Sequence, residues 1–254
     1  GFLGGGPTLG FCAWGVFADV ERVSFHWPMP GYLALLIAAP VLLQQWPRIW
    51  RVATWVMAGA GLVVVLGYYL MLSMPTLRAQ SAAEKFYNSN FAGWDELATA
   101  VQEELERLPE GTPLLAGNFK IGAELGFAFN DPQIEVLDHP LNHKHGRAPQ
   151  LRLWNLENDG RRERPALLVV GHGDVQYKSL LQHYHQLCEK LGPLPPPRVV
   201  NVDHGRQRFL LFALPAEKAS GPCVAPAFAW IDTPASKAQV GRDFAVQGWA
   251  FKDG

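Results

Sequence analysis

The residues able to do chemistry fall into two groups, far apart in a chain of 254 residues. The first is His26-Trp27-Pro28-Met29-Pro30-Gly31-Tyr32. A histidine can donate to a phosphate oxygen, and Trp27 and Tyr32 offer ring faces to an isoprenoid or a sugar. The plainer reading is that the aromatics mark a membrane–water interface and the prolines start a helix. The second is Asp138-His139-Pro140-Leu141-Asn142-His143-Lys144-His145-Gly146-Arg147. It follows an expected strand end, where α/β proteins commonly place binding groups. Three histidines spaced by four and two, with an aspartate, have the donor types of a zinc site. Lys144 and Arg147 bring positive charge into the same loop and nothing flanking it fixes a ligand geometry, so no metal is assigned. A polar loop facing a membrane surface or an anionic substrate fits better, with a solvated loop as the default.

Smaller signals are weaker still. Gly117-Asn118 and Gly171-His172-Gly173-Asp174 are expected helix entrances that could hold an anion. Neither carries a full dinucleotide fingerprint or a P-loop, and Asn118 and Asp174 are more simply N-caps. His183 and His185 lie two apart on an expected helix and so face different sides. Asp95 with Glu96 suits a helix N-terminus rather than a catalytic dyad. Cys12, Cys188 and Cys223 are too few for a disulfide framework or a thiolate metal site. Cys188 and Cys223 could pair in an oxidising compartment, but two free thiols are the expectation.

The elements that must position these residues divide sharply by charge. Composition is 48% hydrophobic and 18% charged with a formal net charge of -1, yet residues 1–77 hold only Asp19, Glu21, Arg22, Arg48 and Arg51. With no basic block, nucleic acid is not an expected partner. Val52 to Leu77 carries no charge and as a helix reaches roughly 39 Å, against a hydrocarbon core of about 30 Å. Gly31 to Trp46 is also uncharged and becomes long enough to span only if its helix starts near Pro28, with Pro40 kinking it. Two spans are therefore expected, at about 28–46 and 52–75, with Phe11–Ala18 ending a third, truncated segment. Arg48 and Arg51 lie between the spans, and short basic loops stay cytoplasmic. Everything after about residue 78 is then expected outside the cytoplasm, on the same side as the loop at 19–30.

Residues 78–216 alternate strand and helix signals and read as a small extracytoplasmic α/β domain. Helices are expected at 94–108, 119–129 and 175–191. Strands are expected at 113–117, 134–137, 151–154, 166–170, 198–202 and 207–214. A Pro/Ala/Ser/Gly linker follows at 217–229, and 230–254 reads as the truncated start of a β-sandwich, too short to bury a core alone. Residue 1 is Gly and the chain stops after an apolar strand-like run, so an internal piece of a longer protein is expected.

HWPMPGYLALLIAAPVLL resembles the late transmembrane segment of bacterial family 39 glycosyltransferases, which are similar to dolichyl-phosphate-mannose–protein mannosyltransferases and to the lipid A aminoarabinose transferases. The match is carried by Pro30-Gly31-Tyr32 and by the mid-helix Pro40. LLAGNFKIGAELGFAFN and IEVLDHPLNHKHGRAPQLRLW look like the periplasmic α/β domain of that group, and IDTPASKAQVGRDFAVQGWAF resembles an appended Ig-like sandwich. The resemblance implies a multi-pass bacterial inner-membrane enzyme with a periplasmic C-terminal part. Such an enzyme moves a sugar from a polyprenyl-phosphate carrier to a glycan, lipid or protein acceptor. It also implies an acidic catalytic residue in a first outer loop upstream of residue 1, so no catalytic residue is assigned here, and no cofactor follows. Carrier binding is expected at His26, Trp27 and Tyr32. Asn118, Asp138, His139 and Asn142 are expected to line the membrane-facing side of the α/β domain. The alternative is a membrane-anchored, non-enzymatic module that binds glycan or a partner protein.

Overall fold

In the computed structural model, residues 29–84, 86–225, 228–234 and 238–251 are described. The chain divides into two units, 1–69 and 70–254. In the first, α1 (Met29–Gln45) contains Pro40, and α2 (Arg48–Ser73) runs on into the second unit. Met74 is extended, and Pro75 opens a new short helix, α3 (Pro75–Gln80). A proline is tolerated in a first turn but not in a helix interior, so the long helix stops at Ser73. Among the described residues, α2 is the one helix long and apolar enough to cross a membrane. Its 26 residues measure about 39 Å, whereas the 17 of α1 reach only about 26 Å. The α2 surface is apolar and open: Trp55 is 70% exposed, Met57 75% and Val64 70%.

The second unit is built on a six-stranded sheet. Its strands are β1 (Leu114–Ala116), β2 (Glu135–Leu137), β3 (Glu157–Asn158), β4 (Ala166–Gly171), β5 (Arg198–Val202) and β6 (Gln207–Leu214). The spatial order is β3-β2-β1-β4-β6-β5. The first four strands in that order are parallel, and β6 runs antiparallel to both β4 and β5. Four further helices of the unit are α4 (Trp94–Leu105), α5 (Phe119–Phe129), α6 (Pro140–Lys144) and α7 (Ala148–Leu153), and α8 (Leu180–Leu191) is the last.

Strand alternation divides the core between the two faces. Leu167 and Val169 of β4, with Phe209 and Leu211 of β6, pack with Leu97, Val101, Ile121, Leu125 and Leu151 from α4, α5 and α7. Leu168 and Val170, with Leu210, Phe212 and Leu214, pack with Leu180, Tyr184, Leu187 and Leu191 of α8. Every residue of β4 is buried, which is why ALLVV reads as an unbroken apolar run. Gly93 opens α4 at φ +84, where a Cβ would lie 2.9 Å from Val202 Cγ2, so glycine is required twice over.

Three local expectations are corrected. Residues 151–154 lie in and just after helix α7, not in a strand. Pro149 sits in its first turn, and only Leu151 of LRLW turns into the core, so the period-two burial of a strand is missing. The Cys188 and Cys223 thiols are joined in a disulfide with Cα atoms 5.8 Å apart, not free, because the segment after β6 returns along α8. Beyond it, β7 (Phe228–Thr233) and β8 (Gln247–Phe251) form an antiparallel pair, so that strand structure begins two residues inside the expected linker. Phe11–Ala18 lies outside the described residues.

Candidate functional site

The chain moves outward from β1 to β2 and β3, then returns to place β4 on the other side of β1. The crevice between the carboxyl ends of β1 and β4 is thus the topological switch point, where open α/β sheets bind ligands. Asn118 follows β1 and Asp174 follows β4, 56 residues later, and Asn118 Nδ2 donates to Asp174 Oδ2 at 2.5 Å. Asp174 is therefore not an N-cap. It lies in a short 3-10 turn, with its carboxyl against Gly171, where a Cβ would come within 2.2 Å of Oδ2. Burial pushes the Asp174 carboxyl up to about 6, against the opposing pull of Lys120, the Asn118 amide and the Gly171 backbone. A carboxyl poised there can exchange a proton near neutral pH.

Asn118 is the N-cap of α5, its Oδ1 accepting from the Lys120 and Ile121 backbone N–H groups at 2.9 and 3.4 Å. Asn142, in α6 just after β2, accepts the Phe119 N–H on Oδ1 at 2.9 Å, while its Nδ2 donates to the Leu137 carbonyl. The first three amides of α5 are thereby satisfied from within. An anion at this helix entrance would have to displace both asparagines, so Asn118 is the simple N-cap expected there and not an anion site.

Asp138 and His139, adjacent in sequence, part company at the end of β2. Asp138 is on the surface, 2.6 Å from His143 Nε2 and 3.9 Å from Lys190 Nζ. Burial alone would raise its carboxyl, but the His143 hydrogen bond and the Lys190 charge outweigh it and hold the pKa below the ordinary value. His139 turns inward and is 3% exposed. Its Nδ1 accepts from the Leu141 N–H at 3.1 Å, which leaves the proton on Nε2, and that buried atom has no hydrogen-bond partner among the described residues. The ring meets His183 edge-on at 5.1 Å between centroids. Burial, and secondarily His183, lower the His139 pKa to about 4. His145 packs on the Phe119 ring instead, so the three histidines of the 138–147 segment go to three different places. Among the described residues, no group of three or more His, Cys, Asp or Glu is placed to hold a metal ion.

The four expected domain residues do gather at the ends of β1 and β2, but Asn118, His139 and Asn142 are 1%, 3% and 1% exposed. Buried polar groups are held where their hydrogen bonds are made, so these three position the loops rather than line a membrane-facing surface. Asp138 alone presents its side chain. Tyr32 is on α1 and 43% exposed, whereas His26 and Trp27 lie outside the described residues.

Sequence reading missed Asp174 as the partner of Asn118. It also missed a buried ionic cluster where α3 meets the domain. Arg78, 6% exposed, donates from Nε to Asp203 Oδ2 at 2.7 Å and from Nη2 to Glu96 at 2.5 Å. The Tyr87 hydroxyl donates to the same Asp203 oxygen at 2.7 Å. The one available signal was the run Asp203-His204-Gly205 between two expected strands; in the structure all three residues have positive φ. Comparison of the chain with protein-family models, with curated proteins and with solved structures gives no match.

Proposed function

We propose that this chain is part of an integral-membrane glycosyltransferase that moves a sugar from a polyprenyl-phosphate carrier to an acceptor on the periplasmic side of a bacterial inner membrane. The observation that carries the membrane part is α2, a 26-residue helix whose apolar side chains lie open along its length. An apolar surface that large on a water-soluble protein would drive association, and lipid is the environment that suits it. The Cys188–Cys223 disulfide favours an oxidising compartment for the α/β domain, since cytosolic thiols are kept reduced. Glycosyl transfer itself rests on the resemblance around Pro30-Gly31-Tyr32 and Pro40. In this reading His26, Trp27 and Tyr32 hold the carrier, and α1, shorter than the hydrocarbon core by itself, reaches across with the residues that flank it.

The test is transfer of labelled sugar from polyprenyl-phosphate donors in membranes carrying the full-length parent. His26→Ala and Tyr32→Ala should each cut transfer by about tenfold or more, the scale of losing one well-placed polar or aromatic contact to substrate. Unchanged transfer in both variants would remove the carrier site. A parent that binds glycan yet transfers nothing would favour the anchored binding module.

A further inference from the structure

A groove of about 850 Å³ lies on the α/β domain between α5, α7 and the segment leading into β2. It is within the size range of small-molecule sites. Its floor is apolar, formed by buried Ile134, Val136 and Leu151. Trp154, 56% exposed, forms one wall. Asn130, Gln133, Gln150 and Arg147 stand around the opening. Among the described residues, no hydrogen bond engages the side chains of the three amides, and the Arg147 guanidinium rests over the Phe119 ring at 6.0 Å.

We infer that this groove binds a short oligosaccharide, one ring stacked on Trp154 and its hydroxyls bonded by the amides and by Arg147. Sugar rings have apolar C–H faces that pack on an indole, and their hydroxyls both donate and accept, as side-chain amides do. An acyl or isoprenoid chain could use the floor, but lying across this opening it would strip water from four polar side chains and return no hydrogen bonds. An extended peptide would seek an unpaired strand edge, and β2 is paired on both sides, by β1 and β3. The inference goes beyond sugar transfer and does not depend on it, because Trp154 and Gln150 belong to the domain and not to the carrier segment at 26–32.

The experiment uses the full chain in a polyoxyethylene-ether detergent, so that neither a sugar-headed nor a phosphate-headed detergent competes. Saturation-transfer NMR is recorded with maltotriose, cellotriose, mannotriose and chitotriose, and with dodecyl phosphate as the lipid-like probe. At least one trisaccharide should bind saturably. Trp154→Ala should weaken it by about tenfold or more, and Gln150→Ala by several-fold, with the circular dichroism of both variants unchanged because Trp154 is exposed and Gln150 half-buried. Saturable binding of none of the four trisaccharides, binding indifferent to both substitutions, or displacement of the sugar by dodecyl phosphate would each overturn the assignment. Loss of carrier-dependent transfer in His26→Ala with trisaccharide binding intact would show that the two sites stand or fall separately.

Discussion

Asp174 and His139 sit at the carboxyl ends of the parallel strands, and burial drives their protonation in opposite directions. Asp174 is raised from 3.8 to about 6. Its neutral form is the favoured one, so its contribution to stability is complete below the unfolded value and is lost as pH rises through about 6. His139 is lowered from 6.5 to about 4, so its contribution is complete above 6.5 and is lost as pH falls through about 4. Between pH 4 and 6.5 the two slopes oppose each other. Asp174→Asn keeps a partner for Asn118 and removes the half-buried charge. Its Tm should exceed the native value by roughly 6–12 °C at pH 8, since two pKa units are about 3 kcal/mol and a kcal/mol moves Tm by about 2–4 °C in a domain of this size, and the two should converge near pH 4. Acid unfolding of the variant should also steepen below pH 6.5, because His139 then titrates unopposed. A Tm difference that does not change with pH would refute the account of Asp174. Asn118 was legible beforehand as an N-cap because the apolar stripe beginning at Phe119 marks where a helix starts. Asp174 was not legible as its partner, since a contact across 56 residues depends on strand order and not on local pattern.

At the scale of elements, local apolar period was enough to find α5 and strands β4 to β6, and it failed where another constraint took over. Residues 151–154 have strand-like composition, yet Pro149 starts a helix and the neighbouring Trp154 side chain is left outside. The 175–191 helix begins only at Leu180, because two 3-10 turns, His172–Asp174 and Tyr177–Ser179, come first, and the earlier one turns Asp174 toward Asn118. The Arg78 cluster shows what joins the elements. It ties α3 to the β5–β6 turn through Asp203 and to α4 through Glu96, and Asp203 is as buried as Arg78, at 4% side-chain exposure against 7%. Removing one member of a buried pair strands the other, at a cost of about 3–5 kcal/mol. Arg78→Ala should therefore lower the Tm by roughly 6–20 °C, read by near-ultraviolet circular dichroism. Arg78→Met combined with Asp203→Leu should recover most of the loss, because packed apolar groups can replace a buried pair. If the double variant is as unstable as the single one, the charges are serving some purpose besides joining these elements.

For the whole molecule, the proposed function requires that the chain after α2 lie outside the cytoplasm. Arg48 and Arg51 begin that helix and Tyr68 and Tyr69 lie near its other end, an arrangement that predicts a cytoplasmic start and an exterior exit. The Cys188–Cys223 bridge makes this prediction testable without a fusion that would cut the sheet. In cells with an oxidising periplasm, trapping free thiols with a maleimide-linked polymer should leave Cys188 and Cys223 unmodified until a reductant is added. In cells lacking the periplasmic thiol oxidase, both should be modified at once. Equal modification in the two strains, before any reductant, would put the domain in a reducing compartment, and a periplasmic transferase could then no longer be the parent. The groove beside Trp154 would survive that result, because its argument uses only side chains of the folded domain.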